Sequence, residues 1–326
     1  MAKNRRDRLV GSILSLPVFS DQNHNFLLER QRIHLRWSID QGMKEGKAVI
    51  LIAGGVGETY NLEDDEFATL CKLGVEEARG EAPVMVMVAE LSAREALRKC
   101  QVAADAGVTF VLLSPPHYSP PSDEDIFLHY KYVNDRVDIG IVLYNSFWVM
   151  PNGYSFSRDL FNRLADLENV DGVKWSAPTT EDYLGYAQLF SQRFNLIQNR
   201  FFFSLGSQFG MKGYIDVLGN AAPRFSLHQT ALMEAKDYKQ LDALHKKVRF
   251  DPVYSERAVL SPGGNMVADG PNALVILRSL GLDAGPPFPG QADVSPAFTE
   301  YINKQTEASG IMDWVDWDQE ALFKGV

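Results

Sequence analysis

The feature that most constrains this chain is a recurrence: eight short apolar runs, each followed by a stretch with helical spacing. The runs fall at residues 12–17, 48–53, 83–89, 110–114, 139–144, 170–174, 196–199 and 214–218. Most are near-continuous rather than alternating, the pattern of parallel strands covered on both faces. Between them, Ser92-Ala93-Arg94-Glu95 has the capping-box pattern ahead of an Ala/Leu-rich helix that stops at Gly107. Residues 64–77 place Phe67, Leu70, Cys71 and Val75 at helical spacing, and Ser157 starts a helix carrying Leu160, Phe161 and Leu164. Eight strand–helix units predict an α/β fold, a (β/α)8 TIM barrel over residues 9–226. A doubly wound open sheet has the same alternation, because alternation does not reveal closure.

Residues 227–326 read as a C-terminal helical extension. Helical segments are expected over 227–247 and 272–280, then an irregular Gly-Pro-Pro-Phe-Pro-Gly stretch at 285–290. The tail carries Trp314 and Trp317 and is too aromatic for a disordered end, so it is expected to dock on the body. Residues 1–8 hold a small basic cluster, Lys3, Arg5, Arg6 and Arg8, which suits a docking arm but is expected to be a solvated tail.

Charge and cysteine narrow the partners. Against 32 basic residues stand 42 acidic ones, a net charge of −10 whose field repels phosphate backbones, so no nucleic-acid partner is expected. No apolar run is long enough to span a bilayer, and none follows the basic cluster as a signal peptide requires. Cys71 and Cys100 do not make a disulfide framework and read as buried free thiols in a cytoplasmic protein. The six histidines show neither HxH nor HExxH spacing, so no metal is expected.

Barrel chemistry gathers where strands end. Lys174 closes an apolar run, and a lysine in an apolar pocket has its charged form disfavoured, which frees the amine as a nucleophile for a ketone. The same position suits a lysine that merely snorkels or ion-pairs. Tyr144 ends the preceding run; its phenol suits proton exchange with a substrate oxygen, or simple packing in the barrel mouth. The turn Gly54-Gly55-Val56-Gly57 suits an anion nest of backbone N–H groups, or a tight structural turn. Glu58 suits bracing of that loop.

Together these residues carry a family resemblance. Gly54-Gly55-Val56-Gly57-Glu58, Pro116-His117-Tyr118 with Pro121, Leu143-Tyr144-Asn145 and Gly172-Val173-Lys174 resemble, in order and spacing, the dihydrodipicolinate synthase/N-acetylneuraminate lyase family. The segment from Gly213-Tyr214-Ile215 to Ala222-Pro223 resembles the surroundings of that family's last strand, and the likeness covers roughly residues 9–280. It implies a barrel assembled as a homodimer or homotetramer, acting without a cofactor as a class I lyase on a 2-oxo acid such as pyruvate and an aldehyde. It further implies that Lys174 forms the Schiff base and Tyr144 shuttles protons. By the same resemblance Gly55 and Val56 bind the carboxylate, Ile215 lines the substrate site, and Tyr118 reaches a neighbouring subunit.

Two departures matter. Where the family has hydroxyl side chains this chain has Gly55 and Val56. The arginine that lysine-pathway members carry after the Tyr-Asn pair is absent from Ser146-Phe147-Trp148-Val149-Met150, which argues against dihydrodipicolinate synthesis itself. Phe147, Trp148, Met150, Trp175 and the run Phe201-Phe202-Phe203 suggest an aromatic or apolar second substrate, or packing of loops and interfaces. Asn199-Arg200 offers a polar anchor nearby, and Arg200 equally suits a surface ion pair. Dehydration of a 2-keto-3-deoxy acid through the same imine, and a ligand-binding barrel without catalysis, are the alternatives.

Overall fold

The structure, a computed structural model, describes residues 4–199, 202–248 and 269–326. The eight apolar runs form eight strands: β1 (Gly11–Ser15), β2 (Ala48–Ile52), β3 (Val84–Val88), β4 (Phe110–Leu113), β5 (Gly140–Asn145), β6 (Val170–Trp175), β7 (Asn195–Gln198) and β8 (Gly213–Asp216). They pair in chain order, all parallel, and β8 closes onto β1 through Gly11 with Gly213 and Ile13 with Ile215. The alternation is therefore that of a closed barrel and not of an open sheet.

Closure explains why the strands read as continuous apolar runs. Successive side chains point to opposite faces. Ile13, Leu51, Met87, Leu112, Val142 and Ile197 fill the lumen, while Leu14, Ile50, Val86, Val111, Leu143 and Val173 pack outward beneath the helices. Both faces are dry, so both sets are apolar.

The helices start where their polar residues can cap them. The Ser157 hydroxyl accepts from the N–H of Leu160 at 3.1 Å, and Glu66 reaches back to the N–H of Glu63 at 2.8 Å. The box expected at Ser92 does not close: Ser92 accepts from the N–H of Arg94, and the Glu95 carboxylate binds Arg98 at 2.7 Å instead. Two boundaries also move. The helix Pro223–Glu234 completes the eighth unit, so the barrel runs past residue 226. The single helical segment expected from 227 to 247 breaks at Lys236, where φ is +57°, and resumes as Tyr238–Lys247.

Residues 4–8 are not a solvated tail; Lys3 lies outside the described residues. Arg5–Arg8 forms a 3-10 turn, and Arg5 donates to Asp171 at 2.7 Å, to Asp138 at 3.0 Å and to Asn169 at 2.9 Å. Asp171 is a β6 side chain almost sealed from water, and a carboxylate there needs a cation. Leu9, fully buried, joins the lumen cluster at the same end.

The tail docks as expected. Trp317 meets Trp37, His34 and Phe323 edge-on, with ring centroids 5.0, 5.0 and 5.2 Å apart. Both cysteines are buried free thiols. Among the described residues no helix is long and apolar enough to cross a membrane.

Candidate active site

Register brings the two leading side chains together. Tyr144 on β5 pairs directly with Lys174 on β6, so both project from the same face of the sheet, into the lumen. Lys174 is 7% exposed, and its Nζ lies 4.6 Å from the centroid of the Tyr144 ring. Burial pulls the Lys174 ammonium down to about 8, against an opposing pull from the charge of Asp269. Burial pushes the Tyr144 phenol up, the Asp269 charge adds to that, and the neighbouring Ser146 hydroxyl works against it. The pair is thus an amine that gives up its proton more readily than a free lysine beside a phenol that stays protonated.

Asn145, next to Tyr144, is structural. Its amide donates to the Ser176 carbonyl at 2.6 Å and accepts from the N–H of Phe156 at 3.0 Å, fixing the loop after β5 against the end of β6.

The turn after β2 is tightly wound. Ala53 and Glu58 both take left-handed backbone angles, φ +45° and +50°. At Gly57 a Cβ would lie 2.8 Å from the Ala53 Cα, a backbone contact that cannot yield, so only glycine fits. Among the described residues the N–H groups of Gly55 and Val56 donate to no backbone carbonyl. Val56 is buried and Gly55 half-buried, and N–H groups so placed normally have an acceptor.

Two more residues complete the mouth: Glu58, expected to brace the loop, and Asp269, which the strand-end logic missed. Glu58 is 1% exposed; its Oε2 accepts from the N–H of Phe288 at 2.9 Å and from Asn61 at 3.3 Å, while burial pushes its carboxyl up. It thereby clasps the Gly285–Gly290 stretch onto the β2 turn, where Gln291 also donates to the Tyr60 hydroxyl at 3.1 Å. Asp269, the first residue of the helix Asp269–Ser279, faces Gly55: a Cβ there would stand 3.3 Å from Asp269 Oδ2.

Not every expected residue joins them. Ile215 lies on β8 beside the lumen cluster, in register with Ile13. Tyr118 is 87% exposed, out in solvent on the loop after β4, and takes no part in the pocket of its own chain.

The expected aromatic patch largely dissolves. Trp175 is fully buried on the outer face of β6, stacked on Tyr186 at 5.0 Å, with its Nε1 donating to the Tyr183 carbonyl. Strand alternation makes that unavoidable, because its neighbour Lys174 points inward. Met150 packs in the same outer core, Phe202 meets Tyr183, and Phe203 stacks on His245. Phe147 and Trp148 remain as an edge-on pair 5.1 Å apart on the β5 loop. Asn199 donates to Ser176 Oγ at 3.2 Å; Arg200 and Phe201 lie outside the described residues.

Comparison with known proteins places this arrangement. The model of the dihydrodipicolinate synthetase family matches residues 14–256, most of the chain. The chain belongs to that family. Its members are aldolase-type lyases, and the chain is an enzyme of that class. A 4-hydroxy-tetrahydrodipicolinate synthase of Bradyrhizobium diazoefficiens is 29% identical over 216 residues, covering 66% of this chain and 71% of the relative. One from Thermotoga maritima is 28% identical over 251 residues, covering 74% and 81%. A dihydrodipicolinate synthase structure from Agrobacterium tumefaciens superposes with TM-score 0.80 at 18% identity, covering 94% of this chain and all of that one. A Clostridium difficile structure in complex with mannosamine gives 0.76 at 17%, covering 92% and 99%; at these identities the likeness is one of fold.

Proposed function

We propose that this family member is a class I lyase that makes or cleaves a carbon–carbon bond next to a 2-oxo acid such as pyruvate, with Lys174 forming the imine. The observation that carries this is the register-paired couple: a buried lysine drawn down to about 8 with its Nζ 4.6 Å from the Tyr144 ring. An amine with that affinity for protons is substantially neutral near pH 8, and only the neutral amine attacks a ketone. The imine then withdraws electrons from the adjacent carbon and stabilises the enamine that aldol chemistry requires. Tyr144, kept protonated by burial, supplies and recovers a proton at the second substrate's oxygen.

The N–H groups of Gly55 and Val56 hold the 2-oxo acid carboxylate, a role favoured by their lack of backbone acceptors among the described residues. Ile215 packs against the substrate from β8. The second substrate is an aldehyde other than the charged semialdehyde of dihydrodipicolinate synthesis, because the loop after Tyr144-Asn145 offers Phe147 and Trp148 and no arginine. The exposure of Tyr118 suits contact with a second copy of the chain.

Borohydride trapping with pyruvate and a panel of 2-oxo acids tests the reading, followed by intact mass and peptide mapping. An adduct on Lys174 that is absent from Lys174→Ala supports it. An adduct on another lysine, or none with any 2-oxo acid, rejects it.

A further inference from the structure

Tyr144 lies where the seam between β4 and β5 runs out. Toward β6 the pairing continues through Tyr144 with Lys174 and Asn145 with Trp175. Toward β4 it stops one residue short of Tyr144, at Leu113 with Leu143. The end of β5 is therefore the place where a second support matters most for the phenol.

A helix supplies that support. Tyr130, on the helix Asp123–Asn134, is fully buried in the core outside the barrel. Its hydroxyl sits between the two strands, donating to the Leu113 carbonyl at 2.8 Å and accepting the N–H of Tyr144 at 3.4 Å. The shorter bond anchors the hydroxyl, and the longer one reaches Tyr144. Burial pushes the Tyr130 phenol up, so the hydroxyl keeps the proton that it donates. The ring is edge-on to Phe156, with centroids 6.2 Å apart, and the N–H of Phe156 is the one that binds Asn145. One aromatic pair thus backs the main chain of Tyr144 and the side chain of Asn145.

The same helix ties down the far end of the β5 loop. Asp123 and Tyr130 are about two helical turns apart and share a face. Asp123 accepts from the hydroxyls of Tyr154 and Ser157, so one helix holds both the start and the finish of the segment that follows Tyr144.

We infer that Tyr130 is a positioning residue for the carbon–carbon step: by bridging Leu113 and Tyr144 it fixes the end of β5, and with it the placement of the Tyr144 phenol against the substrate oxygen. This rests on the functions proposed above for Lys174 and Tyr144. Tyr130 lies outside the lumen and acts only through the strand. Lys174 stands on the next strand, away from this bridge, so imine formation is left alone.

The experiment uses the full chain and Tyr130→Phe, which keeps the ring and removes only the hydroxyl. The substrates are 4-hydroxy-2-oxo acids, the aldol adducts of pyruvate with acetaldehyde, glyceraldehyde and benzaldehyde. Pyruvate release is followed on the adduct that the wild type cleaves fastest. A phenol displaced by a fraction of an ångström should lower kcat about tenfold. KM should stay within about twofold, because binding is untouched. Borohydride labelling of Lys174 with pyruvate should keep the wild-type rate, showing an intact barrel. The double variant tests the route. A Tyr144→Phe chain has no phenolic proton left to position, so adding Tyr130→Phe should cost it less than about twofold. A further tenfold loss in that background marks a merely structural tyrosine and overturns the assignment. Wild-type turnover by Tyr130→Phe overturns it too, as does an equal loss of labelling and turnover. Wild-type protein that traps no 2-oxo acid overturns the imine function, and this role with it. Trapping without cleavage of any adduct overturns the carbon–carbon step, and the roles of Tyr144 and Tyr130 with it. A wild type that traps and cleaves beside an unaffected Tyr130→Phe overturns this role alone.

Discussion

Lys174 and Tyr144 are register partners on adjacent parallel strands, and the lysine's Nζ lies over the tyrosine's ring. Neither side chain can turn away without leaving the lumen, so the amine and the phenol are aligned by the sheet and not by a loop. The energetic cost of that alignment falls on the lysine.

That cost predicts a pH-dependent stability. Lys174 is drawn from 10.5 to about 8 in the folded chain. Between those values the unfolded chain holds the proton and the folded chain does not, so stability rises with pH across this window. Below about 8 the folded protein carries a buried cation at a cost on the order of 3 kcal/mol. Lys174→Met is expected to be more stable than wild type in urea unfolding at pH 7, with the gap closing near pH 10.5. A gap that stays constant over this range would count against it.

Tyr144→Phe separates the two stages of the reaction. The ring remains beneath Nζ and the phenolic proton is lost. Borohydride labelling of Lys174 should proceed near the wild-type rate, while turnover of an aldol adduct falls by about 100- to 10,000-fold. Equal losses in both assays would place Tyr144 in imine formation instead.

Glu58 is expected to act through geometry and not through charge. Burial pushes its carboxyl up, so the folded state favours the protonated form and stability falls as pH rises from the unfolded value toward the folded one. Glu58→Gln keeps an acceptor for the Phe288 N–H and should be as stable as wild type or more so at pH 7. Glu58→Ala leaves that buried donor unpaired and should cost about 1–3 kcal/mol. Thermal melting of the two variants decides between them.

Arg5→Ala tests the N-terminal plug. It strips the cation from Asp171, whose side chain is nearly sealed, while Arg5 itself is partly wet. Destabilisation of about 1–3 kcal/mol is expected. It should lessen as acid protonates Asp171, whose carboxyl burial pushes up. A solvated tail would give no change at any pH.

How far the sequence alone reached is clear residue by residue. The eight strands were legible because both faces of a closed barrel are dry, and continuous apolar runs follow from that. Lys174 and Tyr144 were legible because each ends a run. Trp175 was misread because residues adjacent in a strand lie on opposite faces, a rule that the sequence itself carries. Arg5 was misread because its partner, Asp171, is distant in sequence and looks like one more strand residue. Asp269 left no local signal at all. It lies outside every strand, and only the return of the extension to the mouth brings it to Gly55.

That return has a consequence for how the enzyme comes into being. Each strand pairs with the one before it, so the barrel can assemble progressively as the chain emerges. The clasp on Glu58 and the carboxylate beside Gly55 arrive only with the last quarter of the polypeptide. Without these residues Lys174 and Tyr144 would stand beneath an unroofed mouth, so the pocket is finished by the part of the chain made last.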